Sequence, residues 1–447
     1  MSSPAVWTPE QVLALAPDAT SAKAGRELSQ ARKWLRLGRS ETTVWGELQG
    51  SAKDPYRACV DLGETAFSCT CPSRKFPCKH TLGLLLALAQ QPGAFDTVAP
   101  PAWAVAWLEA RRARALKKSE KSDLQASDGI DLAAQAKRVA ARESKVAAGV
   151  ADTLRWLTDI ARMGLAEAQS QPLEFWQRLS ARLIDAQAPG LAGQVVELAS
   201  AAASGDGWQD RMLEATSRIF ALASGYTRLS ALPSGTQADI RSALGWTVDQ
   251  DALLSQPGVR DVWLSLGHRV IDANPLATRT PLRTRRAWLL GRKTGRAALL
   301  LSFAVGAQPF EAATPAGADI DAELVFYPGA ASIRALAKRC FGASSDPFPF
   351  GFGGIDANLA AYGEAIAANP WLPQHPMRLG AVSITRWKNA WHVCDAAGDA
   401  LPISPRFAEI WRLVALSGGL PLDLFGEWDG ETVCPISAWA DGRTVAL

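Results

Sequence analysis

At 447 residues the chain is too long for a single core, so two to four domains are expected, and domains of that size need no disulfide staples. The net charge of +3 is shared unevenly, with +6 on residues 1–150 and −3 on the remainder, a modest asymmetry. The N-terminal MSSPAVWTPEQ has neither a charged leader nor an apolar core segment, and no apolar run approaches the roughly 18 residues of a membrane span. A cytosolic protein without a membrane segment is expected.

Thr8-Pro-Glu marks the start of a short helix. Ala19 to Leu35 reads as a second one, with Leu28, Ala31, Trp34 and Leu35 on one side. Next, YRACVDLGETAFSCTC (Tyr56 to Cys71) predicts two short strands about the turn-prone Gly63-Glu64, ended by Pro72. The stretch CTCPSRKFPCKH then crowds three of seven cysteines and one of four histidines into a dozen residues. In a reducing compartment such a cluster points to metal or redox chemistry rather than a disulfide, and an odd cysteine total suits a bridge framework poorly.

The spacing is Cys-x-Cys, six residues, Cys-x-His. It supplies Cys69, Cys71, Cys78 and His80, the number and type of donors that a closed tetrahedral zinc site takes. Side chains two apart on a strand share a face, so Cys69 and Cys71 can address one ion. Two positions apart on a helix are about 200° apart, so Cys78 and His80 are expected just before a helix. That helix is predicted from Pro77, a capping Thr81 and the stripe Leu82, Leu85, Leu86, Ala89, ending before Pro92-Gly93. A rival reading, small buried cysteines with a capping histidine, needs four ligand types to coincide in a dozen residues, and a redox site lacks Cys-x-x-Cys. Three thiolates and an imidazole around Zn²⁺ carry about −1, so Arg74, Lys75 and Lys79 are read as balancing charge, with phosphate contact the second choice.

These residues resemble the SWIM zinc finger, whose Cys-x-Cys, variable spacer and Cys-x-His lie on a predicted ββα fold. All four ligand positions match. The longer run WGELQGSAKDPYRACVDLGETAFSCTCPSRKFPCKHTLGLLLAL is also similar to a bacterial family of SWIM-finger proteins, departing at Glu47-Leu48 where that family implies Glu-Cys. The resemblance implies DNA or protein binding, and the company of MoxR-type AAA+ ATPases and von Willebrand A-domain proteins.

Farther on, Pro100-Pro101 opens a helix with Trp103, Ala106, Trp107 and Ala110 on one face. It leads into the basic segment Arg111, Arg112, Arg114, Lys117, Lys118 and Lys121, read as a solvated helix end ahead of a nucleic-acid surface. Up to about Gly245 the pattern is helical. Val150, Leu154, Leu157 and Ala161 form one stripe, and Trp208, Met212, Ala215, Ile219 and Leu222 another. With no unit repeating at a fixed period, a compact bundle is preferred to a solenoid.

Beyond Thr280, strand signals return. They are a hairpin about Gly291 to Gly295, a strand in AELVFYPG, a hairpin in RLGAVSITRWKNAWHVCD, a helix from Ser404-Pro405 to Gly418, and a pair turning at Asp429-Gly430. A second basic group, Arg279, Arg283, Arg285, Arg286, Arg292, Lys293 and Arg296 around Trp288, reads as an exposed strand face.

The predicted fold class is α+β multidomain: a small ββα zinc finger with flanking helices, an all-α helical middle region and an α+β C-terminal region with hairpins. Boundaries fall at 1–98 (helices plus finger, finger core about 56–91), 99–119 (connecting helix), 120–131 (linker), 132–278 (bundle) and 279–447. No catalytic constellation stands out. Gly291-Arg-Lys-Thr-Gly lacks the order of a phosphate loop, FGFGGIDANL lacks a preceding strand, and His268, His375 and His392 are scattered. Cys59, Cys340, Cys394 and Cys434 read as buried free thiols. The reading is a non-catalytic, zinc-binding adaptor with one structural Zn²⁺ and a protein partner. Nucleic-acid binding is the alternative, and an enzyme hidden in the C-terminal region a distant third.

Overall fold

The computed structural model describes residues 8–16, 19–50, 54–62, 66–73, 77–111, 113, 132–272, 282–306, 310, 314–344, 352–440 and 442–447. The segment read as a linker, 120–131, lies outside them, as do Arg112, Arg114, Lys117, Lys118 and Lys121.

In the N-terminal unit, α1 (Pro9–Ala14) starts on a capping box formed by Thr8 and Gln11. Helix α2 (Ala19–Glu27) is shorter than the predicted Ala19–Leu35. The chain turns after Glu27, and Trp34 folds back so that its indole N–H donates to Leu28 O at 2.9 Å, leaving Leu35 exposed. Strands β1 (Arg36–Arg39), β2 (Thr43–Leu48), β3 (Tyr56–Asp61), β4 (Ala66–Cys69) and β5 (Asp96–Thr97) form one sheet of order β4-β3-β2-β1-β5. The two predicted finger strands are thus the edge of a five-stranded sheet.

Alternation assigns the faces. Val44, Ala58 and Val60 lie under α3 (Lys79–Gln90), while Trp45 and Cys59 pack against Trp103, Ala104 and Trp107 of the helical residues 102–111. Ala106 and Ala110, predicted for that face, are exposed. Gly25 and Gly83 let α2 approach α3 closely, since a Cβ on Gly83 would sit 2.6 Å from Leu28 Cβ.

The middle region is a bundle of α4 (Leu132–Met163), α5 (Leu165–Gln169), α6 (Leu173–Asp185), α7 (Pro189–Ala202), α8 (Trp208–Thr227) and α9 (Ser234–Leu244), followed by α10 (Gln250–Leu254). Its core holds Val150, Leu157, Leu179, Leu191, Met212, Ile219 and Leu222. Of the predicted stripes, Leu154, Trp208 and Ala215 are half-buried and Ala161 is exposed.

The α+β region begins earlier than residue 279. Strand β6 (Val259–Asp272) falls inside the span read as bundle, yet pairs with β7 (Leu282–Gly291) and β9 (Asp319–Phe326). With β8 (Ala297–Val305) and β10 (Arg334–Ser344) these close a barrel of order β10-β8-β7-β6-β9. A six-stranded sheet follows, β13-β12-β11-β14-β15-β16: β11 (His375–Trp387), β12 (Ala390–Cys394), β13 (Ala400–Pro402), β14 (Leu422–Trp428), β15 (Val433–Ala440) and β16 (Arg443–Ala446). Helix α11 (Ile355–Ala368) starts where the Asp395 carboxylate accepts from Ile355 N at 2.9 Å. Helix α12 (Ile410–Ser417) starts later than Ser404-Pro405, because residues 405–409 form turns first.

Barrel and sheet meet over Leu264, Leu266, Trp288, Leu290, Phe425 and Ile436. The charged centre of that seam is Glu427, buried, which accepts from Trp288 Nε1 at 2.7 Å. It also pairs with Arg286 Nε at 2.9 Å and, more distantly, with Arg269 Nη1 at 3.8 Å. Removing one partner of a buried charge group leaves the others uncompensated. Glu427→Ala is therefore expected to lower stability by about 3–5 kcal/mol, read from urea unfolding, and Glu427→Gln, which keeps an acceptor for Trp288, to lower it less.

Candidate metal centre

Cys69 is the last residue of β4 and lies opposite Ala58 of β3, which turns its side chain to the α3 face of the sheet. Cys71, two residues on, keeps the same side. Cys78 is the N-cap of α3 with extended backbone (φ −79°, ψ 167°), and His80 sits in the first helical turn. The helix thus begins at Lys79, earlier than expected. The 200° separation does not apply, because only one of the two residues is helical.

The four donor atoms all lie within 4.8 Å of one another, with His80 Nδ1 3.7 Å from Cys69 Sγ and 4.0 Å from Cys78 Sγ. A zinc tetrahedron with Zn–S of about 2.3 Å and Zn–N of about 2.0–2.1 Å has edges of roughly 3.5–3.8 Å, so the donors need close up only slightly. Thr81, fully buried, donates from Oγ1 to Cys78 O at 2.9 Å and lies 3.7 Å from Cys78 Sγ. The Tyr56 ring packs on His80 at 4.9 Å between centroids. These two contacts fix the imidazole and one thiol from outside the ligand set.

The electrostatics favour a cation. Hydrogen bonds from Cys69 and Cys71 pull the Cys78 thiol well below its ordinary range, while Cys69 is pushed up by its hydrogen bonds to Cys71 and Cys78. Burial opposes charge on His80, but hydrogen bonds to Cys71 and Cys78 raise it to about 9. The cluster therefore gathers negative charge and holds protons against it, and a divalent ion replaces those protons when it binds. The N-terminal end of α3 adds to the stabilisation of the Cys78 thiolate. All four donors come from protein side chains, the closed coordination of a structural ion.

Around the centre, Lys79 is exposed; Arg74 and Lys75 lie outside the described residues. Past His80, every residue from Thr81 to Leu88 is buried. The second basic group is not the exposed face that the sequence suggests. Arg285 and Trp288 are buried, Arg286 is nearly so against Glu427, and Arg292 pairs with the buried Asp319. Arg279 lies outside the described residues.

The Gly291–Gly295 loop is filled by the chain itself. Asp261 accepts from Lys293 N at 3.1 Å, Thr294 N at 3.0 Å and Thr294 Oγ1 at 2.8 Å; burial works against the charge, but these bonds hold it below the usual carboxylate range. His268 and His375 are each pushed down to about 4, by burial first and by Arg285 and Arg378 respectively. Cys59 and Cys434 are buried, but Cys340 is exposed on β10, against expectation. The seam group around Glu427 was not anticipated, and no local pattern marks it, because Glu427 is more than a hundred residues from Trp288, Arg286 and Arg269.

Fold and site together define a multidomain α+β protein organised in its N-terminal unit around a Cys3His metal centre. Residues 59–89 match the model of the SWIM zinc finger, and residues 141–244 that of the SWIM-associated four-helix bundle domain. The chain thus carries a SWIM zinc finger and a SWIM-associated four-helix bundle domain, and its cluster is consistent with one structural zinc. No curated protein and no solved structure matches it.

Metal analysis of native protein is expected to give one zinc per chain. Cys78→Ser should release it and open residues 40–95 to protease while the bundle and barrel stay resistant, since structural zinc contributes on the order of 10 kcal/mol to small domains.

Proposed function

We propose that this SWIM finger protein is a non-catalytic intracellular adaptor, in which zinc holds the finger as a docking platform for a protein partner. The observation that carries the reading is the burial of α3 from Thr81 to Leu88. A helix that reads a groove must present Arg, Lys, Asn or Gln to base edges, and this stretch is apolar and enclosed. A closed four-ligand centre adds support, since it leaves no coordination position for a substrate. No helix among the described residues is long and apolar enough to cross a membrane. Family resemblance nominates a MoxR-type AAA+ ATPase or a von Willebrand A-domain protein as the partner.

The second reading, nucleic-acid binding, draws on the +6 charge of residues 1–150. It would use Lys79, Arg74, Lys75 and the segment Arg111 to Lys121 against phosphate. Binding of random and selected duplex DNA across a salt series separates the two. The adaptor reading predicts equal, weak binding that disappears between about 50 and 200 mM salt, together with co-elution of the purified protein with its MoxR-type ATPase or A-domain partner. Sequence preference that survives high salt and is lost on substitution within α3 would overturn it.

A further inference from the structure

We infer that one end of the barrel is a binding site for a small oxyanion, a carboxylate or phosphate group, held by Arg285 with Ser302 beside it. Strand pairing defines the location. Trp263, Leu289, Ala298, Ala322, Leu324 and Ala335 fill the barrel interior. Asp261, also inward by its pairing with Ala322, closes one end with the Gly291–Gly295 loop. Toward the other end the inward face of β7 continues from Leu289 through Ala287 to Arg285 and Arg283, with Ser302 and Ala304 opposite on β8. A bulge between Ser265 and Gly267 shifts β6 by one residue. His268 and Val270 therefore join this inward face, while Arg269 turns outward to Glu427.

Arg285 is only 8% exposed, yet its Nε has no hydrogen-bond partner among the described residues. Its one hydrogen bond among the described residues runs from Nη2 to Ser302 Oγ at 3.3 Å. Among the described residues no carboxylate pairs with it, and burial draws the guanidinium down to about 10, so it stays protonated at neutral pH. The neighbouring ribbon arginines are treated differently, since Arg286 holds Glu427 and Arg292 holds Asp319. Arg283 adds a second guanidinium, and both stack on the Phe310 ring, at 5.3 and 4.9 Å from its centroid. An anion placed beside that ring would be attracted by both guanidinium groups. His268 is neutral at pH 7 and can serve as a hydrogen-bond partner without adding charge. Asp272, across the ribbon from Arg283, is exposed at the rim.

A buried, incompletely bonded guanidinium is costly for folding and is the group best matched to a planar or tetrahedral oxyanion. The depth of Arg285 restricts the ligand to a single end group entering the barrel, which favours a small molecule over a polymer backbone.

Calorimetric titration of the full zinc-loaded chain with inorganic phosphate and with succinate, at ionic strength held constant by chloride, tests the assignment. One saturable site is expected, with the tighter of the two anions naming the head group. Arg285→Met should weaken that binding about tenfold or more. In chloride buffer its melting temperature should equal or exceed that of the parent, because an uncompensated charge has been removed. Absence of binding by either anion would overturn the proposal. So would equal affinity in parent and variant, which would make the arginine structural. Should Arg285→Met fail to fold, Arg285→Lys decides, since it keeps the charge and loses the fork. Weaker anion binding supports the site, and unchanged binding rejects it.

Discussion

The N-terminal unit depends on one constraint, the meeting of a strand end and a helix start at four donor atoms. Cys69 and Cys71 leave the edge of the sheet, Cys78 and His80 begin α3, and a zinc ion held by the four would tie the two elements together. Everything packed around α3 follows from that anchoring. A helix apolar on all sides has to be covered on all sides. The sheet covers it through Val44, Ala58 and Val60, and α1 and α2 cover it through Val12, Leu15 and the close Gly25–Gly83 approach. The finger is therefore the middle of a layered unit rather than an appendage to it.

The C-terminal half obeys a different rule, in which buried charges are matched one by one. Asp261 is taken up by the amides of a tight loop, Asp319 by Arg292, and Glu427 by Arg286 with an indole N–H. Each carboxylate sits where two pieces of chain join, so the charges also fix register and seam as well as filling space. Against that regularity, Arg285 is a buried ribbon cation with no carboxylate paired to it among the described residues, and its position at the barrel end gives the exception a chemical meaning.

Much of the metal centre was legible in the chain itself. Ligand chemistry is local: four donors within a dozen residues define their own spacing, and strand alternation already sets Cys69 and Cys71 on one side. Local signals also gave the Thr8 cap, the hairpin about Gly291–Gly295 and much of the apolar stripes of the bundle. What failed were element boundaries, where packing and cap geometry outweighed the apolar pattern. The predicted helix to Leu35 stops at Glu27 because Trp34 finds a better site against Leu28 and the sheet. The start of α3 moves to Lys79 because an extended N-cap frees Cys78 from helical geometry.

The sequence alone determined the donors, the zinc that they suit, and the order of a finger, a helical region and an α+β region, because each rests on residue type and short-range period. Only the tertiary structure decided that the finger strands are the edge of a five-stranded sheet, that Val259–Asp272 belongs to a barrel, and which arginines are inside it. Barrel closure joins β6 to β9 across some sixty residues, as Arg260 to Asp321 illustrates, and a single-residue bulge sets which side chains face inward. Neither is written in any local pattern, because pairing energy is shared between segments that the chain brings together only on folding.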